Sequence, residues 1–163
     1  MPSSSYPVRI KGGKQGEDAL ARVVKRLGGS QVWKKPPTTK LQVHEAIRKG
    51  LPGRALVFMA EHVTHIPSDT LFDIVGLSRR TMQRRADTPT KPLNQDQSGR
   101  LWKFAEILNT STELFGDQES AERWLTSPAI ALEQKSPADL MTTQPGAEIV
   151  EQLLTRLEHG VYT

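Results

Sequence analysis

Cysteine is absent from the 163 residues. That excludes a disulfide framework and any thiolate metal site, and it suits a reducing compartment. Aromatic residues make up only 6% of the chain, so its cores must be built from aliphatic side chains. No apolar run approaches the length of a membrane span. The opening MPSSSYPVRIKGGKQG has no apolar segment of the kind a secretion signal needs. A soluble cytoplasmic protein with no membrane partner is expected. Metal chemistry is equally poorly supplied. His44, His62 and His65 stand in no HExxH pattern, so neither a metal nor a cofactor is expected. Glu113, Asp117 and Glu119 have no Ser or His beside them in a catalytic arrangement. They read as helix-terminal carboxylates, and no enzymatic activity is expected.

Acidic residues are scarce in one part of the chain only. Residues 1–99 hold 17 Lys and Arg against 8 Asp and Glu, a net of +9. Residues 100–163 hold 5 against 10, a net of −5, and the two parts add to the overall +4. The front suits a polyanion and the rear does not, which points to two different partners.

The stretch SDTLFDIVGLSRRTMQRR, residues 68–85, carries the clearest signal. Leu71, Ile74 and Val75 form an apolar stripe at helical spacing. Gly76 can end that helix in the left-handed conformation, and Leu77 can fill the corner. Ser78 is a suitable N-cap for a second helix, accepting from the backbone N–H near Thr81. Met82 then faces inward, and Arg79, Arg80, Gln83 and Arg84 face outward. This is the pattern of a helix-turn-helix whose second helix enters the major groove of DNA. Arg can fork onto guanine and Gln can pair with adenine. Thr81 can meet a phosphate or a thymine methyl, and Arg85 is placed to grip backbone phosphate.

Helices are also expected before this motif. Leu20, Val23, Val24 and Leu27 give a short amphipathic helix stopped by Gly28-Gly29. Val32 and Trp33 can anchor the next link, and Pro36-Pro37 breaks any continuous helix. Leu41, Val43, Ala46 and Ile47 give the apolar face of another helix, ended at Gly50. Ala55, Leu56, Phe58 and Met59 mark a third. The segment 86–98, with two prolines and many polar residues, reads as a linker that leaves the two parts without a set arrangement.

Behind it, Leu101, Phe104, Ile107 and Leu108 share one helical side. Asp117 can cap a helix that turns Ala121, Trp124 and Leu125 inward. Ile130 and Leu132 lie in a short connection. Pro137 sits in a first helical turn, where its missing N–H costs little. A last helix from about Pro145 to Glu158 carries Ile149, Val150, Leu153, Leu154 and Leu157.

The rear resembles the toxin-binding domain of the Xre/MbcA/ParS antitoxins. The matching features, in order, are the helix 101–108, Phe115-Gly116, Ala121, Trp124-Leu125, Pro128, Ser136-Pro137 with Asp139-Leu140, Gly146, and Gly160-Val161-Tyr162 after the final helix. The helix-turn-helix matches the Xre half, while residues 1–39 carry no part of the resemblance. Residues 1–39, from their own composition and spacing, read as a flexible basic region with a short helix. The resemblance implies an all-α protein with a helix-turn-helix DNA-binding domain at 40–92 and a small helical toxin-binding domain with a C-terminal tail at 93–163. It implies an antitoxin of a type II toxin–antitoxin system. Such an antitoxin binds a RES-domain, NAD-depleting toxin and represses its own operon as a homodimer within a larger toxin–antitoxin complex.

The DNA-binding candidates are Ser78, Arg79, Arg80, Thr81, Gln83, Arg84 and Arg85. The toxin-binding candidates are Arg156, Glu158, His159, Gly160, Val161, Tyr162 and Thr163. A tail after an amphipathic helix can enter a cleft, where Glu158 and the terminal carboxylate suit a basic nucleotide pocket. Val161 and Tyr162 add apolar contact, and buried Tyr is a frequent hot spot. The competing reading is a ligand-responsive repressor without a toxin partner, which would need polar groups converging on an apolar pocket. Residues 101–163 show no such cluster. For pairing of subunits, the face 20–27 and the helices between Leu41 and Val63 are the candidates.

Overall fold

A computed structural model describes residues 14–88 and 91–160. Among them the chain is helical, as its apolar spacing and caps predict, with α1 (Lys14–Arg26), α2 (Lys40–Lys49), α3 (Gly53–His62), α4 (Ser68–Val75), α5 (Arg79–Ala86), α6 (Gln95–Phe115), α7 (Gln118–Thr126), α8 (Pro137–Leu140) and α9 (Gln144–Glu158). Short 3-10 turns at Gly29–Gln31 and Ile130–Leu132 complete it.

The 21-residue α6 is the centre of the molecule. It packs against α1, α2 and α4 of the front and against α7 and α9 of the rear. Its Leu101, Phe104, Ala105, Ile107 and Leu108 belong to one core that runs from Val23 in α1 to Leu154 in α9. The two parts are therefore not left without a set arrangement, as the polar segment 86–98 suggests. The helix also starts earlier than its apolar residues do. Asn94 accepts from the Gln97 N–H at 2.8 Å, and the Gln97 amide oxygen accepts from the Asn94 N–H at 3.1 Å. This reciprocal box satisfies two of the donors that a helix start leaves open. The segment just before it is pinned as well. Leu93 is buried and donates its N–H to the Leu51 carbonyl at 2.9 Å, and the Leu51 N–H donates to the buried Ser98 hydroxyl at 2.8 Å.

The short helices owe their ends to local chemistry. Thr39, Ser136 and Thr143 each cap a helix through a side-chain oxygen. Asp117 does so at α7, accepting from Ser120 N–H at 2.7 Å. That backbone bond, and a further one from the Ser120 side chain, hold the Asp117 carboxyl below its ordinary 3.8. Its contribution to stability is complete above that value and is lost as pH falls through the lowered one.

Two expectations change. Leu41 is 68% exposed instead of facing the core, because it lies two residues, or roughly 200° of helix, before the buried Val43. The apolar face of α1 is spent inside the chain, with Val23, Val24 and Leu27 all buried, so it cannot pair subunits.

Backbone conformation singles out two places in the rear. A Cβ added at Gly146 would lie 1.7 Å from the Leu140 carbonyl oxygen, so only glycine lets α9 start so close to the end of α8. Glu133 and Gln134 instead hold left-handed φ values of 55° and 66° without being glycine, in the turn between α7 and α8. Substitutions should therefore move stability in opposite directions. Gly146→Ala should destabilise by about 1–3 kcal/mol through overpacking. Gln134→Gly should stabilise by up to about 1 kcal/mol by relieving the left-handed side chain. Thermal unfolding of both variants checks the pair; a Gly146→Ala protein as stable as the parent would contradict the packing described.

Candidate functional site

The helix-turn-helix forms as the residue pattern requires. Leu71, Ile74 and Val75 of α4 are buried, and Gly76 takes φ 81°. The Leu77 N–H reaches the Phe72 carbonyl at 2.8 Å, and the Gly76 N–H reaches Asp73 at 3.1 Å. These two bonds are the Schellman closure of a helix, in which a hydrophobic residue after the glycine packs back on the helix. Leu77 is that residue and is buried. Ser78 caps α5, accepting from the Thr81 N–H at 3.1 Å. Met82 packs partly buried against the core.

The outer face of α5 is less uniform than its composition suggests. Arg80, Gln83 and Arg84 are exposed and hold no hydrogen bond or ion pair among the described residues. Arg79 is exposed too, but its guanidinium pairs with Asp69 of α4. The Thr81 and Ser78 hydroxyls bond each other at 2.8 Å, which occupies the group expected to meet phosphate. Arg85 departs furthest from expectation. Its guanidinium donates to the carbonyls of Lys91 at 2.8 Å and Pro92 at 3.2 Å, and its Nε is buried without a partner. Burial holds its pKa below the ordinary value. The chain doubles back after α5 and brings two carbonyls within reach, so Arg85 ties down the turn instead of pointing at a phosphate.

The second candidate group lies at the end of α9. Leu153 is buried and Arg156, three residues on and about 60° round the helix, is exposed at the edge of the buried stripe. Glu158, His159 and Gly160 are exposed at the helix end, with Gly160 at φ 73°. Val161, Tyr162 and Thr163 lie outside the described residues. About 22 Å of α9 separates its capped start from this end, since 15 residues rise 1.5 Å each.

A further polar network carries no signature in the sequence. Glu122 of α7 is only 1% exposed. Its carboxylate accepts from the His65 backbone N–H at 2.9 Å and from the Gln118 amide at 3.0 Å. Gln118 also donates to the His62 carbonyl at 2.8 Å and accepts from Arg26 at 2.9 Å. Arg26 donates its Nε to Asn109 at 3.1 Å. Burial lowers the Arg26 pKa, against the charges of Glu113 and Glu122 that raise it. These residues stitch α1, the α3–α4 turn, α6 and α7 together. The only local hint is that Gln118 and Glu122 stand one helical turn apart. The histidines gather no metal site: His62 stacks on Phe58, His65 lies 3.6 Å from Glu119, and no group of three ligating side chains occurs among the described residues.

Two family models match in sequence order. Residues 42–106 match the antitoxin Xre-like helix-turn-helix domain, and residues 111–160 match the antitoxin Xre/MbcA/ParS C-terminal toxin-binding domain. The chain belongs to the Xre antitoxin family. Among curated relatives named antitoxin Xre, one from Yersinia enterocolitica is 32% identical over 99 residues, covering 60% of this chain and 66% of its own length. Another from Pseudomonas putida is 29% identical over 121 residues, covering 73% and 72%. A third from Photorhabdus laumondii is 26% identical over 127 residues, covering 77% and 84%. The helix-turn-helix match runs to residue 106 and so takes in the first half of α6, where the two parts of this antitoxin share their core. No described helix is long and apolar enough to cross a membrane.

The split roles on α5 are separable. Arg85→Ala should lower stability by about 1 kcal/mol, the worth of a typical lost hydrogen bond. Arg84→Ala should leave it within the small range of surface changes, about 0.5 kcal/mol. Denaturant titration of both variants decides it; equal midpoints would show that the Arg85 contacts carry no weight.

Proposed function

We propose that this antitoxin represses its own operon through α5 and neutralises a cognate RES-domain, NAD-depleting toxin by lodging its C-terminal segment in the toxin's active site. The supporting observation is the joining, through α6, of an exposed cationic helix at the front to an acidic helical unit at the rear. Arg80 and Gln83 are the residues for base edges, with Arg79 held ready by Asp69 and Arg84 for phosphate. The toxin-facing group is Arg156, Glu158, His159, Gly160, Val161, Tyr162 and Thr163. The operator is bound as a homodimer, because one helix-turn-helix covers only a half-site. The compartment is the cytoplasm, and the chain itself performs no catalysis.

The net +9 of residues 1–99 favours a DNA phosphate backbone, while the net −5 beyond them repels it. That asymmetry supports assigning DNA to the front and a protein with a basic cleft to the rear. A repressor that answers to a ligand alone would not rescue cells from a toxin, with or without residues 158–163, so toxin rescue separates the two readings.

Removing residues 158–163 should abolish rescue of cells expressing the cognate toxin, while operator binding survives. Full rescue by the shortened chain would remove the plug mechanism. Arg80→Ala and Gln83→Ala should each cost about 1–3 kcal/mol of discrimination at one base pair, with toxin rescue intact. Operator titrations with single-base variants read this out. Unchanged base preference in the double variant would displace α5 as the reading helix.

A further inference from the structure

A second recognition surface stands apart from α5 and from the end of α9. It is a cavity of about 650 Å³ between α1, the 3-10 turn after it, α3, and the facing parts of α6 and α7. Drug- and cofactor-sized ligands occupy cavities of about this size. Its chemistry is one-sided. Arg22, Lys25 and Arg26 line it from α1, and no carboxylate lines it among the described residues. The opposite wall is largely apolar. Phe58 and Met59 of α3 and Leu108 of α6 form it, and the His62 ring stacks on Phe58 at 3.9 Å between centroids, 17° from parallel.

The three cations differ in what they are already doing. Arg26 is committed to Asn109 and Gln118, and so forms part of the wall. Arg22 is held by Glu113 at 2.9 Å, on the α6 side. Lys25 is exposed and holds no hydrogen bond or ion pair among the described residues. Counting the two nearby carboxylates, Glu113 and Glu122, against the three cations leaves a net positive charge before His62 is considered. The Lys25 ammonium, with the Arg22 guanidinium it shares the rim with, suits an anion with several acceptor oxygens, while the committed Arg26 adds its charge from the wall. A stacked aromatic pair suits a flat ring. A ligand carrying both meets both walls at once.

We propose that this cavity binds a small phosphorylated molecule bearing a planar heterocycle, a nucleotide in chemical class, with its phosphates on Lys25 and Arg22 and its ring against the Phe58–His62 pair. The three cations belong to α1, which lies outside both family-matched segments, 42–106 and 111–160. The site thus joins cations from outside the matched segments to a wall, Phe58, Met59, His62 and Gln118, that lies within them. It also touches the Arg26–Gln118–His62 bonds that join front to rear, so an occupied cavity braces that junction. The proposal does not depend on the identity of the toxin or on the operator.

The full-length protein should be titrated calorimetrically with AMP, ATP and inorganic phosphate at low and at physiological salt. AMP and ATP should bind, ATP more tightly, with affinity falling as salt rises; inorganic phosphate should bind at least tenfold more weakly than AMP. Lys25→Glu should weaken AMP and ATP at least tenfold while the thermal midpoint without ligand stays as in the parent, because Lys25 is exposed. Phe58→Leu should weaken AMP but leave the phosphate response unchanged. No binding of either nucleotide at millimolar concentration would overturn the proposal. So would phosphate binding as tightly as AMP, which would reduce the cavity to an unspecific anion patch. Unchanged nucleotide affinity in Lys25→Glu would place any binding elsewhere. Loss of affinity for double-stranded DNA in Lys25→Glu, without loss of nucleotide affinity, would assign α1 to the DNA interface and likewise overturn it.

Discussion

Burial of α6 on several sides at once is the constraint from which the rest of this antitoxin follows. A helix can turn one stripe to a single partner layer, but α6 meets five other helices and keeps Phe104, Leu101, Ile107 and Leu108 almost wholly out of water. At about 25 cal/mol per Å² of apolar surface, each such side chain contributes on the order of 1.5–3 kcal/mol. No short helix around it buries a comparable set. Polar staples spaced along the same helix then set direction. Ser98 holds the α2–α3 turn, Arg100 donates to the Thr142 carbonyl at 2.7 Å, Lys103 pairs with Glu151 at 2.8 Å, and Asn109 accepts from Arg26. Burial opposes the Lys103 charge, yet the bond it donates to Glu151 and the charges of Glu106 and Glu151 outweigh it and raise the pKa.

This arrangement explains how opposite charges coexist in so short a chain. The cationic α5 leans on α4, which leans on the first half of α6, while the acidic rear hangs from α6 through α7 and α9. Front and rear also meet directly, at α4 and α8 and through the Arg26–Gln118 and His65–Glu122 bonds, so their relative placement is fixed at more than one point. Exposed pairs such as Arg79–Asp69 are worth little in stability, a median below about 1 kcal/mol, so their use is to orient a guanidinium.

What could be read from the sequence was what short-range chemistry decides. The cap at Ser78, the left-handed Gly76, the corner residue Leu77 and the cap at Asp117 all depend on neighbours within five residues, and all stand where the pattern puts them. The start of α6 was hidden because Asn94 and Gln97 look like linker residues beside two prolines; the box they form is visible only when read as a reciprocal pair. Leu41 was misplaced because a ten-residue helix offers too few turns to separate rival stripes. Arg85, Glu122 and the cavity under α1 were beyond reach, since each depends on partners dozens of residues away or on a chain reversal whose path the sequence does not print.

The most direct test of a shared core is native-state hydrogen exchange across increasing denaturant. If α6 unites the molecule, the slowest amides of α4 and of α9 should converge on one opening free energy, equal to that of global unfolding. If α4 opened at distinctly lower denaturant while α9 and the second half of α6 stayed protected, front and rear would be separate folding units, and the account built on α6 would be wrong.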